Sequence, residues 1–203
     1  MPDEAPYDEK HLEHAPGQAT TYEQFGRDFF RVAVTEQRIL AGVDVLAGEP
    51  IAFGPIGVGP GRLARVRATG VIERPTATSV DGDLVRLIVT LPVSLSFELD
   101  LQLEKQRFDA RLSIPLELTA RALTGCRVFI DVLPPRGDQI EVDLRGFGLR
   151  ASLLQRVAGV EAELTRFVAK YVARELEKPA VRAARLIDVA HAIDRAWSGV
   201  DVT

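Results

Sequence analysis

Val85-Arg86-Leu87-Ile88-Val89-Thr90-Leu91-Pro92-Val93-Ser94-Leu95-Ser96-Phe97-Glu98-Leu99-Asp100-Leu101-Gln102-Leu103 decides the reading of this chain. Every odd position but none of Arg86, Thr90, Ser94, Ser96, Glu98, Asp100 and Gln102 is apolar. Successive side chains of a strand point to opposite faces, so this is one half-buried strand of period two. At ~3.3 Å per residue it would reach ~60 Å if straight, against the usual ~5–6 residues. Pro92 cannot donate to a ladder, so a bulge, a bend or an edge is expected there.

The parity then switches. Phe108, Ala110, Leu112, Ile114, Leu116, Leu118 and Ala120 form the next apolar set. A hairpin turning at Lys105-Gln106 pairs residues whose numbers sum to 211. That register sets Leu103 opposite Phe108, Leu99 opposite Leu112 and Leu95 opposite Leu116, with Glu104 opposite Arg107 and Asp100 opposite Arg111. A fourth strand follows a loop at Leu123-Thr124-Gly125, with Cys126, Val128, Ile130 and Val132 inward. Pro134-Pro135-Arg136-Gly137-Asp138 turns the chain into a fifth strand at Ile140, Val142 and Leu144. Before the long strand, Ala64, Val66, Ala68 and Ile72 alternate as the first strand, and loops are read at 50–61 and around Asp81-Gly82-Asp83.

Helical periodicity flanks the strands. Thr20 with Glu23 reads as a capping box, and Tyr22, Phe25, Phe29, Val32, Ile39, Val43 and Leu46 continue as one helix ended by Gly48 and Pro50. After Gly146 and Gly148, Leu153, Val157, Val160, Leu164, Phe167, Val168, Tyr171, Val172 and Leu176 line one face of a helix of about 28 residues, ~40 Å long. Pro179 opens a shorter helix carrying Leu186, Ile193 and Trp197. The predicted fold is α+β: a long, strongly curved antiparallel meander of about five strands wrapped around a long amphipathic C-terminal helix, with an N-terminal helix. Residues 1–19 read as a disordered acidic arm and residues 20–203 as one cup or grip domain.

Length and charge bound the function. The 203 residues suffice for one domain able to bury about 70% of its unfolded surface. The net charge of −4 resides in residues 1–14, leaving 24 acids and 24 bases in the rest. A balanced body has no general electrostatic reason to bind nucleic acid. Twenty-one arginines against four lysines hint at GC-rich coding and a bacterial source. No apolar run approaches ~18 residues, and Met1-Pro2-Asp3-Glu4 lacks an apolar signal core, so the expected compartment is cytoplasmic. A lone cysteine, Cys126, supports no disulfide framework and reads as a buried, inert thiol.

Element order and strand length together resemble the tubular lipid-binding superfamily, which includes the bactericidal permeability-increasing protein and the synaptotagmin-like mitochondrial lipid-binding domains. The resemblance covers residues 20–178 and implies an elongated apolar ligand, often with dimerisation. Helix-grip proteins of the START type, among them lipid carriers and polyketide cyclases, are similar in placing a long C-terminal helix over a curved sheet. They normally begin with a strand, which is not evident before Thr20.

The expected function is therefore non-enzymatic binding or carriage of an elongated hydrophobic ligand: a fatty acyl chain, a lipid, or a polyene- or polyketide-like metabolite. The expected lining combines Val93, Leu95, Phe97, Leu99 and Leu101 from one hairpin arm with Leu112, Ile114, Leu116 and Leu118 from the other. The long helix adds Val157, Leu164, Phe167, Val168 and Tyr171. Ala64, Ala68, Ala110, Ala120 and Ala122 could leave space or allow close packing. The alternatives are a cyclase-type enzyme depending on Tyr171, Tyr22 or His191, and a packed structural or dimerising domain. Tyr22 and Tyr171 sit on apolar stripes and could orient a ligand. His191 has Asp188 and Asp194 on its helix face, an arrangement more often an ion-pair network than a general base. No catalytic residue, metal or cofactor is assigned. His11, Glu13 and His14 lack a scaffold to orient them, and the glycine-rich stretch 53–61 lacks the strand-then-helix order a phosphate loop needs. Arg166, Lys170, Arg174 and Lys178 recur every four residues. That stripe reads as a solvated face compensated by Glu163, Glu175 and Glu177, with a transient membrane-surface contact kept among the expected partners. Two free sheet edges make a homodimer the expected assembly.

Overall fold

In the computed structural model, which describes residues 18–58, 64–100, 105–145 and 151–198, the long alternation becomes the centre of an eight-stranded antiparallel sheet curled into a half-barrel. Strand β4 (Arg86–Asp100) pairs along its whole length with β5 (Lys105–Leu123). These two long strands form the spine. On the outer side of β4 lie β2 (Ala64–Ile72) and β3 (Thr76–Val80), end to end. On the outer side of β5, β7 (Glu141–Arg145) and β6 (Arg127–Leu133) are arranged likewise. Beyond them, β1 (Pro50–Val58) pairs with β2 and β8 (Leu186–Asp188) pairs with β6.

This layout explains the prolines. No bulge interrupts β4 at Pro92; its pairing with β5 runs through unbroken. The Pro92 carbonyl accepts the Glu73 N–H at 2.8 Å, so its backbone faces outward, at the junction where β2 ends and β3 begins. The partner pairs Pro92↔Ser113 and Thr90↔Pro115 alternate with the hydrogen-bonded ones, so Pro115 also faces outward. It falls between the β7 stretch, ending at Ser113, and the β6 stretch, beginning at Glu117. Both prolines thus sit where no ladder N–H is required.

The hairpin register differs from the predicted one. Partners sum to 205, as in Phe97↔Phe108 and Leu95↔Ala110, a slide of six residues along β5. An even slide preserves which face each side chain takes, so the alternation permits both registers. Specific contacts select this one. Phe97 and Phe108 stack at 5.0 Å, Glu98 meets Arg107 and Lys105 at 3.5 Å each, and Ser96 donates to Asp109 at 2.7 Å. Leu103, Glu104 and Leu101 lie outside the described residues.

Other expectations are corrected. The strands number eight, not about five, among the described residues. Stretch 50–58, read as loop, is edge strand β1, with a register shift between Phe53 and Ile56. Its prolines are tolerated because an edge needs fewer ladder donors. β3 and the three-residue β8 also escaped the sequence reading, being too short for a clear period. The single N-terminal helix is two: α1 (Tyr22–Ala33) and α2 (Glu36–Val43), followed by a 3₁₀ turn at Asp44–Leu46. The cap of α1 is Thr21, whose side chain accepts from the Gln24 N–H, rather than Thr20. Thr35 caps α2 through the Arg38 N–H and so restarts the helix after Val34. The long helix α3 (Ala151–Leu176) has 26 residues but is not the last element. α4 (Pro179–Ala184), β8 and a short C-terminal helix, α5 (Val189–Ser198), follow it. Residues 1–17 of the expected arm lie outside the described residues; Gln18 and Ala19 are exposed.

The core lies between the inner sheet face and the α3 stripe. Leu87, Val89, Leu91, Val93, Leu95 and Phe97 are buried from β4, and Leu112, Ile114, Leu116 and Leu118 from β5. Leu164 and Val168 close over them from α3, with Phe167 packed alongside. Ala68 pairs with Phe53 on one side and Phe97 on the other, and its small size lets those rings meet at 6.1 Å. Phe53 also reaches Phe167 at 5.0 Å, which ties the edge strand to the long helix. No helix of the described residues is long and apolar enough to cross a membrane.

Candidate functional site

The expected lining residues divide into three groups. Val93, Leu95, Phe97, Leu112, Ile114, Leu116, Leu118, Leu164 and Val168 come together in one buried cluster, with Phe167 against it. Leu99 occupies its backbone place in β4, opposite Val66 and Gln106. Leu101, and the side chains of Leu99 and Val157, lie outside what is described. Tyr171 sits at the rim, stacked on Phe167 at 6.3 Å with the Arg174 guanidinium 5.6 Å from its ring centre.

A half-open cavity of about 340 Å³ lies elsewhere, where α1 and α2 face α5 across β6 and β8. Phe29, Ala33 and Val34 form one wall, Ala192, Ile193 and Ala196 the other, and Val128 and Ile187 the floor. Local chemistry builds each wall. The Val34 N–H bonds the Phe30 carbonyl at 2.9 Å and ends α1, leaving Val34 buried beneath it. α5 starts where the Cys126 carbonyl accepts the Val189 and Ala190 N–H groups at 3.1 and 3.3 Å. Asp188 accepts the His191 N–H at 2.9 Å as its side-chain cap. Alanines at 192 and 196 keep that wall low, and the groove open follows from them.

Arg38 is the one charged residue lining this groove among the described residues. Its Nη1 donates to the Val32 and Ala33 carbonyls at 2.8 and 3.2 Å. A cation at a helix C-terminus meets the negative end of the macrodipole, which holds this side chain beside the groove.

The candidate chemical groups fall out differently from expectation. Tyr22, expected to reach a cavity, is 89% exposed at the start of α1. Cys126, expected to be buried, is exposed in the β5–β6 turn with a left-handed φ of 54° beside Gly125 at 74°. The turn extends one residue past the predicted loop, which takes the thiol off the strand's inner parity. His191 is exposed, and Asp188 serves the helix start through the His191 backbone. In the basic stripe, Arg166 pairs with Glu163 and Lys178 with Glu175, each at 2.6 Å, while Arg174 lies over the Tyr171 ring. Among the described residues no group of three His, Cys, Asp or Glu side chains could hold a metal ion. His11, Glu13, His14 and residues 59–63, which include the end of the glycine-rich stretch, lie outside the described residues.

Sequence reasoning missed the groove because its walls come from the two ends of the chain. The apolar faces of both helices were legible; their meeting across β6 and β8 was not. No family model matches the chain, and no curated protein matches it.

Proposed function

We propose that the protein is a non-enzymatic binding protein for an elongated apolar ligand with one polar end, seated in the groove between α1 and α5. The observation that carries this reading is the groove itself: about 340 Å³, apolar on both walls and floor, with Arg38 as its only charged liner among the described residues. That volume lies at the lower end of small-molecule sites, which are mostly apolar with a few placed polar groups. It suits a single chain rather than a bulky polycycle. Affinity would come from burial, at about 0.8 kcal/mol per methylene. The Arg38 guanidinium has five donors, and those beyond its two helix bonds can serve a carboxylate or carbonyl end.

The test is native mass spectrometry of the purified chain followed by organic extraction, then titration of delipidated protein with hexadecanoate. A stoichiometric adduct, lost in Ala192→Trp, is expected. Arg38→Met should weaken hexadecanoate more than hexadecane. An apo mass together with no hexadecanoate binding rejects the reading.

A further inference from the structure

The apolar faces of α1 and α5 are wider than the fold uses. On α1, Phe29, Phe30 and Ala33 turn toward the core, while Tyr22, Phe25 and Val32 remain 89%, 60% and 68% exposed. On α5, Ile193 lines the groove yet stays 46% exposed, and Trp197, one turn further, is 75% exposed. Neither helix contains a buried residue. Both uncovered stripes adjoin the groove through Phe29 and Ile193.

We propose that this face is the interface of a homodimer, in which two copies meet α1/α5 face to α1/α5 face about a twofold axis. Area supports a second copy. At roughly 200 Å² per aromatic side chain, Tyr22, Phe25 and Trp197 leave on the order of 450 Å² of ring surface in water. With Val32 and Ile193 the two copies together would remove on the order of 1,100 Å², close to the ~1,200 Å² floor of stable interfaces before any polar rim is counted. Tyr and Trp are also the residues that anchor such contacts.

Charge separates a second copy from a lipid surface. A helix that lies on anionic membrane carries Lys and Arg on its polar face. The polar face of α1 is neutral: Arg27 pairs with Glu23, and Arg31 with Asp28 at 3.5 Å. α5 carries one acid, Asp194, and one base, Arg195, and is likewise balanced. Two such faces can approach each other without net repulsion, which a self-complementary twofold contact requires. The interface stands without a ligand; with one, the second copy covers the open side of the groove.

Trp197 is the only tryptophan of the chain, so its fluorescence reports on this face alone. The experiment follows sedimentation and tryptophan emission of the full chain over a dilution series. A dimer with blue-shifted emission is expected, reverting to water-like emission over the same dilution at which the sedimentation coefficient falls. Phe25→Glu should be monomeric at all these concentrations, with red-shifted emission and an unchanged circular dichroism spectrum. Val32→Lys, tested in parallel, should weaken association at least tenfold and serves if Phe25→Glu does not fold. A monomer throughout overturns the proposal. So does a dimer whose Trp197 emission does not move on dissociation, because its interface is elsewhere. A blue shift of dilute protein on vesicles of phosphatidylcholine and phosphatidylglycerol, without self-association, would make the face a membrane site and equally overturn it. Sedimentation is read on delipidated protein without hexadecanoate, so failure of the ligand reading and failure of the dimer remain separate results.

Discussion

The β4–β5 hairpin and helix α1 carry apolar patterns of similar regularity, and the fold treats them in opposite ways. In β4 the odd positions from Leu87 to Phe97 are all buried. In α1 the stripe from Tyr22 to Val32 contains no buried residue. A central strand is held by neighbours on both sides, and its apolar face has no choice but the curl of the sheet and the α3 stripe. A peripheral helix needs only part of its face to dock. The remainder is left for something outside the chain's own core, and that is where the groove and the proposed interface lie.

Mutations should separate the two regions. In the hairpin, Phe97→Ala removes a ring that touches Phe53 and Phe108. It should cost about 3–5 kcal/mol in urea unfolding. A loss below about 1 kcal/mol would mean that the hairpin is no better packed than the helices. Gly70 comes next. It lies against β4 so closely that a Cβ there would overlap the Ser94 carbonyl and the Leu95 side chain. Gly70→Ala should cost about 1–3 kcal/mol, and a crystal structure should show β2 displaced from β4.

At the helices the effects shrink. Thr35→Ala removes the α2 cap and should cost about 1 kcal/mol, read by thermal unfolding. Glu36 ties α2 to β3: its carboxylate accepts the Ser79 N–H at 2.6 Å, and the bonds from Ser79 hold it below the ordinary value of 4.5. A depressed carboxyl contributes stability that is present above its unfolded value and lost as pH falls through the folded one. Stability of the α2–β3 contact should therefore decline below about pH 4.5, and Glu36→Gln should flatten that decline, as followed by hydrogen exchange at the Ser79 amide. The smallest effect on the isolated chain belongs to Phe25→Ser, within about 0.5 kcal/mol at concentrations where the chain is monomeric. A large loss there would erase the contrast between hairpin and helix.

The extent to which the sequence was readable follows the same division. The faces of β4 and β5, the strands at 64–72 and 127–133, and the α3 stripe were all legible, because period and parity are local. The hairpin partner was not, because a six-residue slide leaves parity unchanged and only the Phe97–Phe108 stack and the Glu98 pairs distinguish the registers. The break between α1 and α2 was legible in hindsight at Thr35, a capping residue that an uninterrupted apolar count passes over. β1 was hidden by Gly54, Pro55 and Gly57, which suit an edge strand as well as a loop.

For the candidate site, the sequence by itself determined the ingredients: amphipathic helices on either side of the strands and a sheet with one apolar face. Only the tertiary structure decided where those helices meet. Side-chain periodicity is set within a few residues, whereas the groove depends on residues about 160 apart in sequence, Phe29 and Ile193, packing against one pair of strands. Which half of each apolar face is covered, and which half stays in water, is a property of that packing and not of either helix alone.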